Sequence, residues 1–173
     1  MSVGDVTSDK IGTAARYNLG KPALDLLPLS VMWETLEDAE VENSAAQCLF
    51  WLGEFQHSHD APSLRQALRE LYLNNFCNRW TEPAKVLHYG RMKYAAWNWA
   101  KGQAWSIPLA CAVRHLLAIM NGEETDPESL LPHRGHVAAN ILFLLTFLDT
   151  YPEGNDLPTT LQPRGPEDGS LKI

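Results

Sequence analysis

The run Ile141-Leu142-Phe143-Leu144-Leu145 constrains the fold more than any other feature. It lies in a stretch that Pro132 can open and that extends to about Asp149, and it is apolar on nearly every side of a helix. A helix without a polar face must be covered all round, so this one is predicted to be central, with other helices packed about it. The chain supplies them. Leu64, Ala67, Leu68, Leu71 and Tyr72 recur at three- and four-residue spacing behind Ser63 as a cap, which predicts an amphipathic helix. A second is predicted from Ser30 to about Gly53. Its inner side is Val31, Leu36, Ala39, Ala46, Leu49, Phe50 and Leu52, its outer side is acidic, and a break is expected near Glu42-Asn43-Ser44. Pro83 predicts a helix start that runs through Val86 and Leu87 to Tyr89 and on toward Trp97. Pro108 predicts another over Leu109 to Met120, closed by Asn121-Gly122. Asp126-Pro127-Glu128-Ser129 has the grammar of a short helical start. Period-two alternation is scarce, so the expected fold is an all-α, single-domain helical bundle.

A chain of 173 residues suits one domain. Residues 1–15 are small and polar and are expected to be a flexible lead-in, residues 16–150 form the helical domain, and residues 151–173, dominated by Pro, Gly and charge, are expected to be a flexible tail. The net charge of −7 argues against a nucleic-acid polymer as partner, although a small anion needs only a local cationic pocket. No apolar run reaches the ~20 residues that span a bilayer, and Met1–Lys10 lacks a signal-peptide pattern, so no membrane partner and a cytoplasmic location are expected. Cys48, Cys77 and Cys111 are dispersed and odd in number, which predicts reduced thiols rather than a disulfide framework or a thiolate zinc site.

Chemistry concentrates between Gly90 and Asn140. Glu123 and Asp126 form an ExxD pair that can converge on one hard cation, or can be a solvated acidic turn. His133, His136 and Asn140 share one stripe of the last helix and can line a polar cavity. Arg114-His115 sits within an apolar helix; arginine can grip phosphate in a planar fork, or tie two helices together by pairing with Glu123 or Glu128. Lys93-Tyr94 and Asn98-Trp99 offer a point charge, a base-edge or sugar contact and a stacking ring, although at least one aromatic of Tyr94, Trp97 and Trp99 is expected in the core. There is no GxxxxGK[ST], HExxH or GxSxG motif. Cys111, four residues before His115, reads as a buried thiol rather than a nucleophile. His57-Ser58-His59-Asp60 places a His-Asp pair in a loop without assignable partners.

With these residues in view, the segment from Val86 to Asn140 resembles the dATP/dGTP diphosphohydrolase N-terminal domain family, which is widespread in bacteriophages. The resemblance rests on Gly90, Lys93-Tyr94, Asn98-Trp99, Lys101-Gly102, Arg114-His115, Gly122-Glu123, Asp126, Glu128-Ser129, His133, His136 and Asn140, together with Arg16-Tyr17-Asn18-Leu19-Gly20-Lys21-Pro22. The stretch from Leu29 to Ala84 does not follow the pattern, so residues 30–83 are expected to be a helical insertion. Leu130 and Arg134 stand where the family usually has Gly and Leu. A looser similarity is to MazG-like all-α pyrophosphatases.

The resemblance implies a hydrolase that converts a purine deoxynucleoside triphosphate to the monophosphate and pyrophosphate in the host cytoplasm, with Mg²⁺ or, as a substitute, Mn²⁺. Glu123, Asp126, Glu128 and His136 are the expected metal ligands. His115, Glu123 and His133 are the expected catalytic groups, and Lys93, Asn98, Trp99, Arg114 and Asn140 the expected substrate contacts. A homo-oligomer is also implied. Two rivals remain open at this level: a nucleotide-binding protein without turnover, and a structural helical partner with the polar stripe in an interface.

Overall fold

The computed structural model describes residues 5, 7–16, 21–34, 43–73 and 78–159. Among them the chain forms six α-helices and no β-strand: α1 Leu29–Glu34, α2 Asn43–Ser58, α3 Ala61–Leu71, α4 Asn78–Lys93, α5 Ser106–Met120 and α6 His133–Thr150. The all-α expectation holds. The break expected near Glu42-Asn43-Ser44 falls at the edge of residues 35–42, which lie outside the described residues.

Helix α6 is the hub, packed against α3, α4 and α5. Val137, Ala138, Ile141, Leu144 and Phe147 are wholly excluded from solvent, as its lack of a polar face requires. Helix α3 is the amphipathic counterpart. Leu64, Ala67, Leu68 and Leu71 form a buried stripe against α2, which contributes Cys48, Leu49, Leu52 and Phe55 to the same core. Its cap is Asp60, not Ser63: the Asp60 carboxylate accepts the Ser63 N–H at 2.9 Å.

Two helix starts differ from the sequence reading. Helix α4 already runs from Asn78, so Pro83 is buried inside it rather than at its first turn. It ends at Lys93 and does not reach Trp97, whose backbone is left-handed (φ 60°). Asp126-Pro127-Glu128-Ser129 does not start a helix. Asp126 takes the Ser129 N–H as a cap would, but Leu130 then adopts φ 58°, which stops helical propagation.

Parts of both expected flexible segments are packed. Ala14 and Ala15 are buried; Ala14 N–H bonds the Gly102 carbonyl at 3.0 Å. After α6 the chain turns through Pro152–Gly154, and Trp105 donates its backbone N–H to the Gly154 carbonyl and its ring N–H to the Tyr151 carbonyl, each at 3.0 Å. The Asp156 carboxylate accepts the Ser106 N–H at 2.8 Å and its hydroxyl at 2.6 Å, which caps α5 from the opposite end of the sequence. Residues 160–173 lie outside the described residues. Among the described residues no helix is long and apolar enough to cross a membrane.

Candidate functional site

The loop Asn121–Pro132 joins α5 to α6 and decides what they bring together. Gly122, at φ 81°, closes α5: its N–H reaches the Ile119 carbonyl at 2.9 Å and the next N–H, of Glu123, reaches Ala118 at 2.9 Å. The loop then pairs with itself, Asp126 N–H to the Leu131 carbonyl at 2.9 Å and His133 N–H to the Glu124 carbonyl at 3.0 Å. Asp126 is thereby held beside the first turn of α6 and the C-terminal half of α5.

Three imidazoles and one carboxylate meet there. His115 of α5 and His133 of α6 face each other through Nδ1 atoms 2.8 Å apart. His136 stacks on His115, with ring centroids 4.4 Å apart and an interplanar angle of 18°. The Nε2 of His136 is 2.8 Å from the Ser129 hydroxyl and 3.9 Å from an Asp126 oxygen. One ligand atom each from His115, Asp126 and His133 all lie within 4.8 Å of one another. Burial, followed by the neighbouring His136 and His133, pushes His115 down to about 3. Burial outweighs the attraction of Asp126 and pushes His136 down to about 4. Both rings are therefore neutral at physiological pH. Burial opposes ionisation of Asp126, but hydrogen bonds from the Ser129 N–H and hydroxyl outweigh it and hold the carboxyl below its ordinary range.

His115, Asp126 and His136 of this cluster line one side of a cavity of about 450 Å³, whose other walls include Arg16, Arg114, Asn140, Trp99 and Phe143; His133 sits behind them, outside the lining. The N-terminal segment delivers Arg16. Asn98 clamps Ala15, accepting its N–H at 3.1 Å and donating to its carbonyl at 3.0 Å, so the next residue enters the cavity wall. The Arg16 guanidinium donates to Asn140 Oδ1 at 2.8 Å and lies 5.9 Å over the Phe143 ring. Arg114 donates to the Pro22 carbonyl at 3.0 Å and to Cys111 Sγ at 3.5 Å, while its buried Nε has no hydrogen-bond partner. Among the described residues neither guanidinium makes an ion pair with a carboxylate. Their joint field is felt by Cys111: burial pushes its thiol up, but the two arginines outweigh burial and hold it below the ordinary value.

The sequence profile of the family described as dATP/dGTP diphosphohydrolase, N-terminal, matches residues 66–157, more than half of the chain. The chain belongs to that family. The family match begins inside the stretch 30–83 expected to be an insertion, so α4 and the second half of α3 are part of the dATP/dGTP diphosphohydrolase N-terminal domain. A protein of Salmonella phage PMBT28 named dATP/dGTP diphosphohydrolase is 33% identical over 75 residues, which cover 43% of this chain and 26% of that protein. The chain thus spans about a quarter of the length of the curated relative it matches. No solved structure matches it.

Within this family member the expected site residues fall into four groups. His115, Asp126, His133 and His136 converge as described, and Arg114 and Asn140 line the same cavity or its wall. Lys93 and Glu128 also line the cavity, but they form an ion pair with each other, and Tyr89 donates to Glu128 at 3.3 Å. That pairing raises the lysine and lowers the carboxyl. Glu123 stands at the exposed rim, 3.9 Å from His133 Nε2. Glu123, Asp126, Glu128 and His136 therefore do not form a single oxygen-rich shell. Asn98 uses both ends of its amide on Ala15, a positioning role, and Trp99 stacks on Phe143 at 4.9 Å. Two residues went unassigned in the sequence reading. Ser129, which orients both Asp126 and His136, stood in the matched pattern without a role. Arg16 stood in a noted basic stretch, but nothing in local spacing connects it to Asn140.

Proposed function

We propose that the cavity binds a purine deoxynucleoside triphosphate and is where a divalent-metal-dependent hydrolysis yields the monophosphate and pyrophosphate. The observation that carries this reading is the pair Arg16 and Arg114, which enter one cavity without carboxylate partners, opposite the His-Asp cluster. A guanidinium drawn partly out of water gains from an anionic partner, and a polyphosphate is a ligand that can pair both. A volume of about 450 Å³ suits a nucleotide-sized molecule. The stacked Trp99–Phe143 wall offers an aromatic surface to a base. The family description and the relative's name bring a purine deoxynucleotide, rather than another phosphate ester, into the reading.

In this reaction a water oxygen adds to a phosphorus of the α–β bridge, the bridging P–O bond breaks, pyrophosphate departs, and the water proton passes to a base. Arg16 and Arg114 hold phosphate oxygens and offset the charge that builds on the leaving group. Lys93 reaches the phosphates by exchanging Glu128 for them. Of the two histidines expected to move a proton, His115 is too weakly basic to carry one at neutral pH, and His133 is not among the residues that line the cavity.

Incubation of the chain with dATP or dGTP and a divalent ion, followed by anion-exchange separation of the products, tests this. Equal amounts of monophosphate and pyrophosphate are expected. Nucleotide that binds but stays intact would favour the second reading, a nucleotide-binding module without turnover. The short span of the curated relative favours that alternative, because most of that protein lies outside the matched region. Neither binding nor turnover would sink both.

A further inference from the structure

The metal implied by the family resemblance is Mg²⁺, a hard cation that takes near-octahedral oxygen ligands and keeps several waters. The donors gathered here have a different chemistry. Of the three expected carboxylates, Glu128 is committed to Lys93 and Tyr89, and Glu123 is half exposed at the rim; only Asp126 enters the cluster. Its companions are imidazole nitrogens. His133 is the decisive one. Its side chain is 4% exposed, one ring nitrogen faces His115 Nδ1 at 2.8 Å, and Nε2 has no hydrogen-bond partner. Two ring nitrogens at that distance either share one proton in a hydrogen bond or, with both rings protonated at Nε2 instead, turn two lone pairs toward one cation. A buried, incompletely bonded imidazole costs stability unless something else completes it.

We infer that the α5–α6 junction is a site for a borderline transition-metal ion such as Mn²⁺, Fe²⁺, Co²⁺ or Zn²⁺, held by His115, Asp126 and His133, and is not a Mg²⁺ site. Two imidazoles with one carboxylate is a ligand set that suits these ions and leaves coordination positions for water or a phosphate oxygen. His136 is a positioning residue: it stacks on His115 and is fixed by Ser129, which also anchors Asp126. The inference does not depend on turnover, because a protein that only binds nucleotides can hold the same ion.

The test is direct metal binding to the whole chain after chelator treatment, read by calorimetry and thermal unfolding. One transition-metal ion per chain is expected, with micromolar or tighter affinity and a clear rise in melting temperature; Mg²⁺ at millimolar concentration is expected to give neither. Asp126→Asn and His133→Gln should each weaken binding at least tenfold, and His88→Gln, outside the cluster, should not. Co²⁺ supplies a readout on the unmodified protein, so a variant that fails to fold does not end the test. Visible bands of nitrogen and oxygen ligation are expected. A sulfur-to-metal charge-transfer band would place the ion on a cysteine and overturn the assignment. So would Mg²⁺ stabilisation equal to that of the transition metals, or transition-metal binding that survives both cluster variants.

Discussion

Helices α3 and α6 both pack into one core, yet they solve the burial problem in opposite ways. Helix α3 turns a clean stripe inward, and the only polar side chain it buries is Ser63. Helix α6 is buried on nearly every side and carries His133, His136 and Asn140 into that environment. Asn140 is spoken for by the His136 carbonyl and Arg16, whereas His133 is left one bond short. The first helix is built for stability alone. The second gives up polar satisfaction at one end, the compromise that functional sites commonly make.

The largest expected effect tests the first half of that contrast. Leu64→Ala removes a wholly buried side chain from the α2–α3 interface and should cost about 2–5 kcal/mol in denaturant unfolding. It should leave transition-metal stoichiometry unchanged in the folded fraction. His133→Leu, at a similarly buried position of α6, removes one incompletely bonded polar group but leaves His115 Nδ1 without its partner, so it should cost less than Leu64→Ala, about 1–3 kcal/mol, while abolishing metal binding. Equal destabilisation by the two would mean that the histidine cluster is structural, and the contrast would fail.

Glycine substitutions probe how closely α6 is held. A Cβ at Gly135 would meet the Glu82 carbonyl oxygen of α4 at 3.0 Å. Gly135→Ala should therefore destabilise by about 1–3 kcal/mol in a urea titration, as overpacking does. Gly90, in α4 with nothing within 4 Å of its would-be Cβ, is the control. Gly90→Ala should stabilise by about 0.5–1 kcal/mol through helix propensity. Arg16→Lys keeps the charge but loses the fork, and should weaken dATP and dGTP binding by about tenfold, near 1.4 kcal/mol, with little change in melting temperature. Unchanged nucleotide affinity would remove Arg16 from the cavity's function.

The same contrast explains what the sequence could disclose. The α3 stripe, the α5 close at Asn121-Gly122 and the all-round apolar centre of α6 are local patterns, and each is visible from spacing. The His133, His136 and Asn140 stripe was visible for the same reason. The cap of α3 was misplaced because Asp60 and Ser63 are both good caps, and the choice depends on where the loop from α2 arrives. The partners of the stripe were not legible. Arg16 reaches Asn140 side chain to side chain across 124 residues of chain, from a segment held by Gly102 and Asn98 in a way that no periodicity encodes. The Lys93–Glu128 pair joins α4 to the loop, so two residues that looked like separate site groups are each other's counter-ions. Charge type is written in the sequence, but which charge cancels which is decided by packing.

A further small effect separates the two helices by pH. Asp60→Ala removes the α3 cap and should cost about 1 kcal/mol at neutral pH. Slight burial opposes ionisation of Asp60, but the Ser63 N–H and hydroxyl outweigh it and hold the carboxyl below 3.8, its unfolded value. Its contribution is therefore complete above pH 3.8 and fades as the pH falls through the lower, folded value. His115 and His136 also titrate below their unfolded value of 6.5, at about 3 and about 4. Between those values and 6.5 the unfolded chain binds the extra protons, so stability in metal-free protein should fall as soon as the pH drops below 6.5. Unfolding free energies measured from pH 7.5 to 5 should accordingly slope downward in the wild type, keep that slope in Asp60→Ala, and lose about half of it in His136→Gln, where His115 still contributes. A slope that survives His136→Gln in full would assign the acid sensitivity to groups outside the α5–α6 junction.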